Sequence, residues 1–249
     1  MNEGLPLATA AVGRLADVWV YLSTTPLLGL TVTLLVYHAA FLIYRRSGFH
    51  SLANPVGLSV IALGSLLWAT GTPYATYFEG AQFVHFLLGP ATVALAVPLY
   101  RQWCLVRRSA LAISVSLLAG SLTAIATATG VAWIMGSPPA VLASLAPKSV
   151  TAPVAMAIAE QIGGLPSLTA VLVIVTGIFG AMFGPLALDL AGITDWRARG
   201  LAMGTASHGI GTARALQVNE TAGAFSGLAM GLNALATALL LPILWGLWG

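Results

Sequence analysis

Lys148 stands in the run Leu145-Ala-Pro-Lys-Ser-Val-Thr-Ala-Pro153, where no other charge occurs between residues 140 and 159. A cation at bilayer depth costs several kcal/mol unless a partner or a water-filled cavity receives it, which makes such a residue a functional-site candidate by default. Proline suits the first turn of a helix, and this predicts a half-helix beginning near Pro147. Lys148, Ser149 and Thr151 would then crowd a positive helix terminus, an arrangement that receives anions. The structural alternative is an ion pair that locks two helices, with Glu160 or Asp189 as partner. Position favours a site over a lock.

A second constellation is Gly204-Thr-Ala-Ser-His-Gly-Ile-Gly-Thr-Ala-Arg214. On an unbroken helix, Gly204, Ser207, His208, Gly211 and Arg214 share one face, with Met203, Ala206, Ile210 and Ala213 opposite. If Gly209 and Gly211 instead break the helix, the same residues line a loop, tolerated at membrane depth only beside protein or water. Small-residue helix packing with Arg214 reaching the interface explains the glycines, but not Ser207 and His208 together. Thr212 adds a hydroxyl to this stretch.

Weaker signals are His85, Glu160, Asp189 and Asn233, which fall within or near apolar segments. A carboxylate near Lys148 would relay a proton or hold a coupling ion. The ordinary imidazole pKa of about 6.5 suits His208 to the same task. Asn233 has a plain alternative as a hydrogen bond between helices. There is no Walker-type phosphate loop, no His/Glu pair at zinc spacing and no Ser/His/Asp arrangement, so neither an enzyme nor a cofactor or metal is expected.

The elements that must position these residues are membrane segments. Of 249 residues, 58% are hydrophobic and 7% charged, whereas a soluble domain carries charge on about a quarter of its residues. Uncharged runs over 111–135 and 165–188 exceed the roughly 18 to 20 residues that span a hydrocarbon core. The net charge of +3 comes from ten basic residues, mostly paired at segment ends as Arg45-Arg46, Arg107-Arg108 and Arg197/Arg199. No segment interleaves aromatics with a basic stripe, so nucleic acid is excluded. Cys104 is the single cysteine, which rules out an internal disulfide. Residues 1–11 lack the basic start of a cleavable signal peptide.

These features predict an all-α polytopic membrane protein. Residues 1–26 form an amphipathic or short membrane segment, and residues 27–249 form one transmembrane domain. About seven or eight segments are expected, some discontinuous or re-entrant: 27–44, 55–71, 83–100, 111–135, 140–162, 165–190, 201–215 and 222–248. An echo relates Leu88-Gly-Pro-Ala-Thr-Val-Ala-Leu-Ala-Val-Pro98 to residues 145–155. Each copy sets a helix breaker and hydroxyls at mid-segment, where transporters interrupt helices to bind solute, and this adds Pro90 and Thr92 to the candidates. If 140–162 is a re-entrant hairpin rather than a crossing, all three arginine clusters fall on one side, as the positive-inside rule prefers.

Residues 86–100, 145–153, 204–214 and Ala224-Phe-Ser-Gly-Leu-Ala-Met-Gly-Leu-Asn233 together resemble the LrgB/CidB family, and the resemblance runs from about residue 27 to the C-terminus. It implies a multi-pass protein of the bacterial cytoplasmic membrane. Members are described as antiholin-like or as regulators of murein hydrolase export; others are the membrane half of the plastid glycolate/glycerate translocator or are linked to pyruvate uptake. It therefore implies either a transporter of small monocarboxylates or a regulator of lysis without a transport site of its own. It also implies a small LrgA-like membrane partner, expected as a separate chain, and leaves self-association open. For a transporter, Lys148 and Arg214 would receive the carboxylate, with Ser149, Thr151, Ser207 and Thr212 contacting the hydroxyl or carbonyl.

Overall fold

The computed structural model describes residues 26–87, 90, 93–94 and 96–248, and these form helices and the turns between them. Residues 1–25, Thr92 and several positions of the first copy of the 88–98 echo lie outside the described residues. The chain divides into a unit that ends at Val93 and a unit that begins at Ala94.

In the first unit, α1 (Pro26–Arg46) is an apolar helix closed by Arg45 and Arg46, cations at the end where the helix dipole is negative. Asn54 caps α2 (Pro55–Thr70) by accepting from the Val56 and Gly57 amides, and Gly71 closes it at φ 62°. Helix α3 (Tyr74–Phe86) lies so close to α1 that a Cβ on Gly29 would come within 2.5 Å of the Tyr77 carbonyl oxygen. Thr33 Oγ1 and the Tyr77 hydroxyl share a hydrogen bond of 2.8 Å at that crossing.

The second unit holds the candidate site. Two short helices, α4 (Ala96–Arg101) and α5 (Trp103–Arg108), precede α6 (Ala110–Ile134). There follow α7 (Pro139–Leu145), α8 (Ala152–Gln161), α9 (Pro166–Leu190), α10 (Trp196–Val218) and α11 (Glu220–Trp248). Among the described residues, four helices are long and apolar enough to cross a membrane: α1, α6, α9 and α11. The segment at 140–162 takes the hairpin form that the arginine clusters favoured, and 201–215 belongs to a second hairpin.

The first hairpin is α7 and α8, of 7 and 10 residues. Its ends meet: the Leu165 amide donates to Ser144 Oγ at 2.7 Å across 21 positions. A Cβ on Gly164 would lie 2.8 Å from the Ser144 nitrogen. Had α8 continued in the direction of α7, that contact would be impossible at about 1.5 Å of rise per residue. The half-helix expected near Pro147 begins later, at Ala152, because Pro153 rather than Pro147 takes its first turn. Pro147 instead opens a turn, with the Val150 amide donating to its carbonyl at 3.2 Å.

The second hairpin is α10 itself. His208 sits at φ 40° and ψ −129°, breaking the helix into arms at 196–207 and 209–218. The arms fold back on each other, since Arg199 and Arg214 line one cavity although fifteen residues of straight helix would part them by roughly 22 Å. Gly200 and Gly204 lie against the backbones of Ala222 and Ser226 on α11, closer than any Cβ would allow. The small-residue stripe of the first arm thus becomes its seam with α11, as close helix packing requires.

Chain order then sets the topology. Helix α6 runs one way and the first hairpin enters from the end that α6 reaches. Helix α9 returns, and the second hairpin enters from the opposite end. Arg107 and Arg108 before α6 and Arg197 and Arg199 at the start of α10 consequently share one end of the unit, called here the arginine end. One core cluster, with Val150, Ile158, Val173 and Leu241, seats the first hairpin on α9 and α11. The other, with Ile113, Leu201 and Phe225, seats the second hairpin on α6 and α11.

Candidate functional site

The two hairpin tips meet near the middle of the three long helices. Asn233, 1% exposed and near the centre of α11, donates its amide to the Ser149 carbonyl at 3.3 Å and to the Thr205 carbonyl at 3.2 Å. One side chain therefore ties the tip of each hairpin to the same helix. Lys148, Ser149, Ala206 and Ser207 line a wide-mouthed cavity, completed by Ala124 of α6 and by Val175, Thr176, Phe179 and Gly180 of α9.

Lys148 is half-buried here, and its ammonium donates to Ser149 Oγ at 3.1 Å. None of the three ion pairs among the described residues includes it. The partners expected for a structural lock are engaged or distant. Asp189 pairs with Arg199 at 2.7 Å, and Glu160 is exposed in the last turn of α8, away from the tip. Ser207 is 1% exposed, and its Oγ has no hydrogen-bond partner. A buried hydroxyl without a partner costs about 1–3 kcal/mol. The cavity therefore holds an unneutralised cation and an unsatisfied hydroxyl.

The tip of the second hairpin is held in a conformation that non-glycine residues rarely adopt. A positive φ at a residue such as His208 costs of order 1–3 kcal/mol and persists only where the surroundings over-determine it. They do so here. The imidazole Nε2 lies 2.9 Å from the Val173 carbonyl, and the ring fills the space where Gly177 has no side chain. Thr212 Oγ1 donates to the His208 carbonyl at 2.8 Å and also bonds to Ser226 Oγ at 2.9 Å.

The sequence candidates thus separate into groups. Lys148, Ser149, Ser207, His208 and Asn233 converge at the tips. Thr151 lies beside them as the residue before α8. Thr212 and Gly211 support the returning arm, Gly211 against Ser207 Cβ and the Met203 carbonyl. Gly209 and Pro90 are exposed. Arg214 is in a different cavity, with Asp189, Trp196 and Arg199 near the arginine end. Sequence reasoning missed the receiving surface on α9: Gly177, Gly180 and Gly184 meet His208, Ser207 and Met203 in turn. Their spacing of three and four places them on one helix face and was available as a signal.

The family model for the LrgB-like family matches residues 33–247, most of the length of the chain. The chain belongs to the LrgB-like family. This LrgB-like chain is 34% identical over 218 residues to the uncharacterized protein YwbG of Bacillus subtilis, covering 88% of the chain and 96% of that relative. It is 30% identical to the holin-like protein CidB of Staphylococcus epidermidis, covering 86% and 93%. It is also 30% identical to the antiholin-like protein LrgB of Bacillus cereus, covering 88% and 95%. No solved structure matches it. With its long apolar helices, the LrgB-like chain is a multi-pass membrane protein.

Proposed function

We propose that this chain is a secondary transporter of small monocarboxylates, of the glycolate, glycerate, pyruvate or lactate class. The observation that carries the reading is Lys148, a cation at the meeting point of two broken helices with no carboxylate beside it. A bound anion supplies the missing counter-charge. The Ser149 and Ser207 hydroxyls, at the same cavity, suit the hydroxyl or oxo group of such acids. Broken helices near the bilayer midplane are the usual construction of solute sites in secondary transporters. The reading needs no catalytic step, metal or cofactor. It places the chain in the bacterial cytoplasmic membrane, with the arginine end inward, working with a small LrgA-like membrane protein.

A second reading is favoured by the names of two relatives, holin-like CidB and antiholin-like LrgB. In it the chain modulates a pore-forming partner and lysis, and Lys148 has no solute to bind. Uptake of labelled pyruvate, glycolate and glycerate into liposomes, with and without an LrgA-like partner, separates the two. The transporter reading expects uptake that Lys148→Ala abolishes. No uptake under any imposed gradient leaves the regulatory reading standing.

A further inference from the structure

Three cavities of the second unit share walls, and together they run from the arginine end to Lys148. The outermost is lined by Ser109, Asp195 and Arg197 and shares Ser116, Ala198 and Leu201 with the next. That middle cavity shares Ala124 and Ala206 with the Lys148 cavity. Along it run two rows of small residues at intervals of four, Ser116, Gly120 and Ala124 on α6 and Ala198, Ala202 and Ala206 on the first arm of α10, with Leu201 and Thr205 between them. Residues four apart lie on one helix face, so each row is a flat strip. Facing small-residue strips in membrane proteins usually close into direct helix contact. Here the two helices touch where Gly120 meets the Thr205 methyl, and the rows border an open groove beside that contact.

The inner end of the groove differs from a lipid-filled crevice. It ends on Lys148 and on the buried, unpartnered Ser207 hydroxyl, groups that water or an anion satisfies and an acyl chain does not. Beyond the tips, toward the other end of the unit, Val150, Ala155, Ile158, Val173 and Leu241 are all buried against one another. We propose that the groove between α6 and the first arm of α10 is a water-filled route for the anion, open from the arginine end to Lys148. The structure is then the state open on that side, sealed on the other by the first hairpin. The proposal rests on the transporter reading for its solute, but not for its water.

The test is cysteine accessibility in a Cys104→Ser background, since Cys104 is exposed. Gly120→Cys and Ala202→Cys place thiols in the groove; a Cβ at Gly120 meets only the Thr205 methyl, at an ordinary 3.4 Å. Leu122→Cys, on an exposed apolar face of α6, is the reference. A charged, membrane-impermeant methanethiosulfonate is applied to one face of oriented vesicles at a time. The expected result is modification of both groove positions from the arginine face, at least about tenfold faster than Leu122→Cys, because a charged reagent does not enter lipid. Equal rates at all three positions, or reaction only with a lipid-soluble maleimide, would show lipid or a partner helix in the groove and overturn the route. So would reaction from the opposite face alone. Labelling needs no uptake, so labelling without uptake keeps the route and removes the monocarboxylate reading, whereas uptake without labelling does the reverse.

Discussion

Ser207 Oγ occupies the space that a methyl group on Gly180 would need. The second hairpin reaches its depth only because α9 has no side chain at that level. Gly180→Ala is therefore predicted to push the tip out of place and to cost about 1–3 kcal/mol, the usual penalty of overpacking. Thermal unfolding in detergent measures it. Because the clash is with one side chain, Gly180→Ala combined with Ser207→Gly should recover much of the lost stability. No recovery would mean that the α9 backbone, rather than the tip, sets the constraint.

Lys148→Met should behave unlike an ordinary core substitution. A cation without an ion-pair partner costs desolvation, and its hydrogen bond goes only to the adjacent Ser149, so a well-packed apolar replacement is neutral or stabilising. The expected outcome is an unchanged or higher thermal midpoint together with loss of uptake. A clear fall in the midpoint would indicate a structural partner for Lys148 and count against the anion site.

Asn233→Ala removes both hydrogen bonds that join the hairpin tips to α11. At about 0.5–1.5 kcal/mol each, the loss is predicted to be about 1–3 kcal/mol. Asn233→Asp should be worse than a simple isostere, since a carboxylate would face two carbonyl oxygens instead of donating to them. Hydrogen exchange at residues 148–151 and 205–208 should rise together in both variants. A rise confined to one tip would show that Asn233 does not couple them.

Acid pH should weaken the start of α10. Asp195 accepts from the Arg197 amide as the N-cap of the helix, and its hydrogen bonds from the Arg197 side chain and backbone hold its carboxyl pKa down at about 2. A depressed folded-state pKa gives stabilisation that is present above the ordinary carboxylate value and lost as pH falls through the folded one. The window is therefore from about pH 4 down to about 2. Asp195→Asn keeps a capping oxygen and removes the ion pair. Its stability deficit against the parent should be constant near neutrality and vanish in that window. The deficit is small, because both side chains are nearly half exposed and water screens the pair.

The long helices were legible because continuous apolar length needs no partner to be read: 111–135 became Ala110–Ile134, and 165–190 became Pro166–Leu190. The first hairpin was legible because only a re-entrant 140–162 puts all three arginine clusters on one side. The second was less so. Sequence reading left open an unbroken helix and a break at Gly209 and Gly211, the residues for which a positive φ is cheap. The structure puts it at His208, whose strain is held by contacts from α9, elements distant in sequence. The same break explains Arg214. It was paired with Lys148 as a receiver of the carboxylate, and the returning arm takes it back beside Trp196 and Arg199.

The hairpin arms also bear on how the protein is made. Arms of 7 and 10 residues in the first hairpin are well short of the roughly 20 that hold a segment across a bilayer by themselves. During synthesis the first hairpin has no α9 to receive it when it emerges, and the second has no α11. Each tip must therefore wait at the membrane surface and sink only after the next long helix has been inserted. Insertion then runs in pairs, and a ribosome stalled before α11 leaves the second hairpin without Asn233 and Ser226, which bond to the Thr205 carbonyl and the Thr212 hydroxyl.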